Sequence, residues 1–303
     1  MHSLALKYFY EVALQGSLSA AADALDIAVS AVSRQINQLE EKVGATLFER
    51  GVHGMRLTPE GELLLAHVRR MRLEMESTLQ GISALKNAVD QPIRLACTQG
   101  VANDLIPTVM AEFRAQHPQV RFDLHVSSAQ VATERVATGS ADVAVTFSTR
   151  PARSVAVRYS CQAPALAVLA LDHPLSHRKR LGLDDVQQYP LVLTDASTST
   201  YKLYELACNM SGQWVEPVLY CNHAQALHAY VRNSTAILFA SYISVGERLT
   251  ASGLIAKPLR NTEMHARVAQ VQVMQGRKLP AMMELFIKAV IRRMNKINAS
   301  APH

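Results

Sequence analysis

The chain has 303 residues, 49% of them hydrophobic and 18% charged, with 13 glycines and 12 prolines. That length suggests two or three domains, and the composition excludes a wholly disordered, collagen-like or low-complexity chain. The net charge of +6 invites a nucleic-acid partner, yet residues 1–90 carry nine Lys/Arg against eleven Asp/Glu, so the cationic surplus lies in residues 91–303. Any DNA contact near the N-terminus must therefore rest on local placement of charge. No run of about 18 uncharged apolar residues predicts a membrane span, and Met1–Lys7 does not open a secretory signal. The expected location is the cytoplasm, with no membrane partner. Cys97, Cys161, Cys208 and Cys221 form no C-x-x-C pair and no zinc-like spacing with histidine, so no metal or cofactor is expected.

Leu4, Leu6, Tyr8, Phe9, Val12 and Ala13 mark an amphipathic helix over residues 3–14, stopped by Gly16. Ser17 and Ser19 are candidate caps for a short helix from Ala20 to Leu25. A turn at Asp26–Val29 leads to a helix from Ser30 to Val43, with Val32, Ile36, Leu39 and Val43 as its buried face. Its opposite face shows Ser30, Ser33, Arg34 and Asn37, with no acid before Glu40. Short hydrogen-bonding side chains and a cation suit a helix that enters a major groove. An ordinary solvated helix face carries the same pattern, and the next segment decides between them. Leu47–Arg50 and Met55–Leu57 read as strands joined by the turn Gly51–Gly54, a wing in which Arg50 and Arg56 flank the DNA backbone. Thr58-Pro59-Glu60 then opens another helix.

Phe9…Val12-Ala13…Gly16-Ser17-Leu18-Ser19-Ala20-Ala21-Ala22…Leu25 resembles the opening of LysR-type transcriptional regulators. So do Ser30-Ala31-Val32-Ser33-Arg34-Gln35-Ile36…Leu39-Glu40, Gly44…Leu47-Phe48-Glu49-Arg50 and Leu57-Thr58…Gly61. The resemblance runs over about sixty residues with almost no gaps. It implies a winged helix-turn-helix over 1–58 that binds double-stranded promoter DNA through Ser19, Val29, Ser30, Ser33, Arg34, Asn37, Arg50, His53 and Arg56. Ala28 stands where a capping Ser or Thr is frequent in the family, and Val29 where a base-reading Gln is frequent. A bidentate adenine contact is therefore unavailable at Val29.

From Pro59 to Val89 only Gly81 interrupts the helical pattern. Apolar positions at Leu64, Val68, Met71, Met75, Ile82 and Leu85, with polar Thr78 between, alternate by four and three like a coiled-coil seam. A linker and dimerisation helix is expected over 59–90, pairing with a second copy and assembling further to a tetramer. RNA polymerase is left open as a partner. Asn87–Pro92 reads as a hinge.

Beyond it, strands at 93–97, 120–126, 143–147, 165–170, 191–193, 216–220, 236–239 and 268–274 alternate with helices at 101–116, 130–138, 200–209, 223–232, 241–250 and 280–297. This alternation predicts parallel α/β sheets. Asp172–Leu175 and Leu183–Leu191 resemble the LysR effector domain, which implies a two-lobed, periplasmic-binding-protein-like fold. Lobe 1 is expected at 91–163 and 266–303, and lobe 2 at 164–265, with crossings near 162–164 and 265–267. Ligands of open α/β sheets sit beyond the strand ends. The candidate effector residues are thus Thr98, Gln99, Gly100, Ser127, Ser128, Thr146 and Phe147 in the first lobe, and Thr194, Ser197 and Thr200 in the second. Each is also a plain turn or cap residue; as a convergent set they favour a small-molecule effector, and their hydroxyls and helix-start N–H groups suit an anion. Asn222 and His223 are further candidates.

The leading expectation is a DNA-binding transcriptional regulator controlled by that effector. The alternative is a thiol redox sensor on the same scaffold, using Cys208 and Cys221, although no cation flanks Cys208. A transport binding protein lacks its export signal, and no catalytic constellation or phosphate loop supports an enzyme.

Overall fold

The computed structural model describes residues 4–51, 54–84, 92–149, 155–246 and 249–302. The chain divides into two compact units, residues 1–79 and 80–303.

In the first unit, α1 (Leu4–Gln15), α2 (Leu18–Leu25) and α3 (Val29–Val43) are followed by a hairpin of β1 (Phe48–Gly51) and β2 (Gly54–Leu57), then by α4 (Pro59–Ala84). Phe9, Val12, Ala21, Ala22, Val32, Ile36, Leu39 and Leu47 form the core. Ser17, rather than Ser19, caps α2 by accepting from Ala20 N. Val43, expected on the buried face of α3, is 48% exposed in its last turn. Glu40 Oε1 accepts from Leu47 N at 2.7 Å and Phe48 N at 3.2 Å, tying the recognition helix to the root of the wing. Thr58 donates to Thr46 O at 2.7 Å and accepts from Gly61 N at 3.0 Å, so the capping expected from the sequence fixes where α4 departs. A Cβ at Gly61 would lie 2.1 Å from Leu47 O, which leaves room for glycine alone.

The expected seam on α4 needs correction at its start. Val68 is 2% exposed inside the core of its own unit, and Leu64 packs against that core. A four-three stripe serves a domain core as readily as a partner helix, and here its first turns face inward. Met71 is half-buried and Met75 is 37% exposed. The side chain of Ile82, Leu85 and the hinge residues Asn87–Gln91 lie outside the described residues, as does His53.

The second unit runs β3 (Ile93–Cys97), α5 (Gln99–Ala102), α6 (Leu105–Gln116), β4 (Phe122–Val126), α7 (Ala129–Thr138), β5 (Val143–Ser148) and β6 (Val155–Gln162). It continues through β7 (Ala165–Ala170), α8 (Leu183–Val186), β8 (Leu191–Leu193), α9 (Ser199–Ser211), β9 (Leu219–Tyr220) and α10 (Ala224–Arg232). It closes with β10 (Ile237–Ser241), α11 (Tyr242–Val245), β11 (Leu254–Pro258), β12 (Val268–Met274) and α12 (Ala281–Ala299). Two five-stranded sheets result, ordered β4-β3-β5-β12-β6 and β11-β7-β10-β8-β9. The chain passes between them twice, from β6 to β7 and from β11 to β12.

The sheets are mixed rather than parallel. β12 runs antiparallel to both β5 and β6, and β7 runs antiparallel to β10 and β11. The expected helix over 101–116 is two helices broken at Asn103–Asp104, and that over 241–250 stops after one turn at Gly246, whose φ is 67°. One apolar cluster covers the first sheet and takes in Ile243 of α11, and the second sheet carries one cluster on each face. Among the described residues no helix is long and apolar enough to cross a membrane.

Candidate functional site

Two sites emerge, one in each unit. On α3, Val29, Ser30, Arg34 and Asn37 are exposed and Ser33 is half-buried, while Ser19 is exposed on α2. Ala28 makes no side-chain cap bond. Arg50 Nη2 donates to Asn37 Oδ1 at 3.4 Å, joining the wing to the recognition helix. Arg56 behaves differently from Arg50. It stands across from Glu49 in the hairpin, and Arg50 stands across from Met55. Because directly opposed residues share a face and successive ones alternate, the two arginines project from opposite faces of the ribbon. Only Arg50 is linked to α3.

In the second unit a cavity of about 280 Å³ is lined from both sheets. Thr98, Gln99, Gly100, Ser127, Ser128 and Phe147 contribute from the first, and Thr194, Ser197 and Thr200 from the second. Asn222 also lines it; His223 instead caps α10, its Nδ1 accepting from Ala226 N. Thr146 is a correction. It is 1% exposed and does not line the cavity, since its neighbour Phe147 takes that side and adjacent strand residues alternate. Gly100 lets α5 approach α11 closely: a Cβ there would meet Ser244 Oγ at 2.5 Å. Sequence reasoning missed Asn103, Asp195, His228 and Arg267. Burial pushes the His228 imidazole below its ordinary value, which favours its neutral form. The missed signal for Arg267 is a cation directly before the buried strand β12 at a chain crossing.

Ser128 and Thr98 occupy matching strand ends but are engaged differently. Ser128 Oγ accepts from Val131 N at 3.3 Å as the N-cap of α7, whereas buried Thr98 Oγ1 has no partner among the described residues. Ser128→Ala should therefore destabilise the unit by about 0.5–2 kcal/mol. Thr98→Val, which removes an unsatisfied hydroxyl at constant shape, should leave the melting temperature equal or higher. Thermal unfolding of the two variants checks this; equal losses in both would show that Thr98 caps as well.

The thiols give the redox alternative no geometric support. Cys208 packs on one face of the second sheet with Leu191, Leu193 and Phe239, while Cys221 packs with Val192 and Leu238 on the other. Burial pushes the Cys208 thiol up, away from thiolate.

A winged helix-turn-helix in one chain with a two-sheet domain, cavity at the strand ends, defines a DNA-binding regulator with an effector domain. The family model for the "LysR substrate binding domain" matches residues 86–295, and that for the "bacterial regulatory helix-turn-helix protein, lysR family" matches residues 4–62. The chain is 33% identical to the HTH-type transcriptional regulator CysB of Burkholderia cenocepacia, across 71% of this chain and 69% of the relative. It is 24% identical to a probable RuBisCO transcriptional regulator of Synechocystis, across 94% and 84%. Its fold is shared with a full-length OxyR variant from Pseudomonas aeruginosa, at TM-score 0.60 and 16% identity over 96% and 94% of the chains. It is shared as well with CbnR in complex with its target DNA, at 0.54 and 19% over 97% and 100%. The chain belongs to the LysR family of DNA-binding transcriptional regulators.

Proposed function

We propose that this regulator binds promoter DNA as an assembly of identical chains and that a small effector in the two-sheet cavity controls its grip. The observation that carries the DNA half is the exposed face of Ser30, Arg34 and Asn37 on α3, held beside the wing by the Arg50–Asn37 bond. Short polar side chains around two guanidinium groups supply phosphate contacts and close approach to base edges without a net positive domain. For self-association, the apolar side chains of Met75 and Leu79 remain exposed on α4 beyond the turns committed to the core. They offer a partner helix a surface that water does not favour.

The effector half rests on convergence. Strand ends and helix starts from both sheets meet at one cavity, and the chain passes between the sheets twice within this unit. A ligand that touches both sheets shifts the population between open and closed arrangements, by its difference in affinity for the two. That change is read out at the promoter.

Arg34→Ala tests the DNA half. If Arg34 holds a phosphate, binding should weaken on all sequences alike and the slope of log affinity against log salt should flatten by about one unit. Fluorescence anisotropy against fragments selected from the source genome reads both quantities. Loss of discrimination at one base pair with the slope intact would move Arg34 to a base edge, and unchanged binding would remove α3 from the interface.

A further inference from the structure

Arg267 holds an unusual position. It lies in the second crossover, just before β12, and is 3% exposed. Its carbonyl accepts from Ala163 N at 2.9 Å, and its Nε donates to Ala163 O at 2.9 Å. Ala163 lies in the first crossover, so one residue clasps both connections between the sheets. The guanidinium then reaches to either side. Nη1 donates to Thr200 Oγ1 at 2.6 Å and Ser199 Oγ at 3.4 Å in the first turn of α9, and the group sits 4.8 Å over the Phe147 ring of β5. Among the described residues, Nη2 is buried with no partner and no carboxylate pairs with the side chain.

A buried cation without a counter-charge is among the costliest arrangements a fold can keep. Deprotonation does not relieve it near neutrality: burial pushes the group down, but only to about 10. Asp195, the carboxylate in the cavity lining, accepts from Ser197 N at 2.9 Å and forms no ion pair with Arg267, so the remaining relief is an anion from solvent. The cavity is built to accept one. Besides Arg267 Nη2, Asn103 Nδ2 is a buried unpartnered donor, and Thr98 Oγ1 is a buried hydroxyl without a partner; all three residues line the cavity. The spare groups are thus donors or hydroxyls, which calls for an acceptor-rich ligand. The thirteen-residue helix α9 presents its N-terminal turn to the same space. Val126, Phe147, Leu227 and Leu238 supply apolar wall.

We infer that Arg267 is the charge receptor for a small organic carboxylate with an apolar body, and that in receiving it Arg267 also locks the two crossovers between the sheets. The inference rests on reading the cavity as the effector site. An apolar body separates this ligand from inorganic oxyanions, which would leave the Phe147 and Leu227 walls uncovered. Because Arg267 bonds Ala163 in the first crossover and Thr200 in α9, a ligand that completes its hydrogen bonds stabilises the arrangement in which all these contacts coexist.

Thermal unfolding of the full-length protein tests the proposal, with acetate, butyrate and benzoate each compared with its neutral amide, and with sulfate, at constant ionic strength. Carboxylates should raise the wild-type midpoint, the more so as the apolar body grows, and the amides and sulfate should raise it less. Arg267→Gln should weaken the apparent carboxylate affinity about ten- to a hundredfold. Arg267→Lys keeps the cation but not the Ala163–Thr200 clasp, and should retain weakened binding; it also serves if the Gln variant fails to fold. Thr200→Val, with the arginine intact, should weaken binding less than either. Equal shifts by acid and amide, no shift by any carboxylate, or variants that respond like wild type would overturn the proposal. Sulfate matching the best carboxylate would overturn the organic class. Binding to genome fragments, measured on the same preparations, fails only if the regulator reading itself fails, since none of the three variants touches α3.

Discussion

Asp142→Asn is expected to cost about 3–5 kcal/mol, because it removes the buried carboxylate that Arg94 and the nearly buried Arg277 share. For a unit of this size that is a fall of roughly 6–20 °C in melting temperature. Asp142 is fully buried before β5. Oδ2 accepts from the Arg94 backbone N at 2.9 Å and from Nε at 3.2 Å, while Oδ1 accepts from Arg94 Nη2 at 2.8 Å and from Arg277 Nη1 at 2.7 Å. Arg277 is itself nearly buried, so its charge cannot turn to water when the carboxylate is lost. The triad pins β3, β5 and the turn after β12 at the end of the first sheet away from the cavity-lining residues Thr98 and Phe147.

The same group sets a pH dependence. Burial alone would push the Asp142 carboxyl up, but hydrogen bonds and charge from Arg94 and Arg277 outweigh it and hold the group below its ordinary value. A depressed carboxyl stabilises the fold fully above the unfolded value, about 3.9, and loses that contribution as pH falls through the folded value. The gap in melting temperature between wild type and Asp142→Asn should therefore be constant from neutrality to about pH 4 and narrow below it. A gap that persists unchanged into stronger acid would show that the carboxylate is not what the arginines hold.

The elements most legible in the sequence are those whose local signal and tertiary role agree. Ile93–Cys97 is apolar at every position but Arg94 and forms an interior strand, and Thr58-Pro59-Glu60 carries a helix start in three consecutive side chains. β6 was not legible: Arg158, Tyr159 and Ser160 interrupt its apolar positions because it is an edge strand with one face open. β11 ends in Lys257-Pro258, residues that read as loop, yet it too is an edge strand where proline is tolerated. The antiparallel course of β12 escaped because alternation of strands and helices carries no information about a chain that leaves a sheet and returns. At the cavity, strand-end hydroxyls were legible from position alone. Thr146 failed because strand alternation gives its neighbour the cavity side. Arg267 was passed over as a boundary, since its meaning lies in contacts 67 and 104 residues distant.

The corrected stripe on α4 yields the last expectation, a contrast between two substitutions seven residues apart. Val68→Glu should abolish cooperative folding of the first unit. The position is almost fully buried among Phe9, Ile36 and Leu65, and an unpaired carboxylate there costs several kcal/mol, a large part of the whole stability of a domain. Met75→Glu should do something else. Its side chain is more than one third exposed in the single chain, so the added charge reaches water and the monomer keeps its fold. If Met75 meets a second copy, the charge is buried only in the assembly, and dissociation is the cheaper escape. Far-UV circular dichroism should thus report loss of structure for Val68→Glu and wild-type helicity for Met75→Glu, while sedimentation velocity should report monomers for the latter. DNA affinity should fall with the loss of the paired recognition helix, and do so most at low protein concentration, where mass action works against the dimer. A Met75→Glu protein that stays dimeric would place the interface elsewhere, and a folded Val68→Glu protein would return Val68 to the seam.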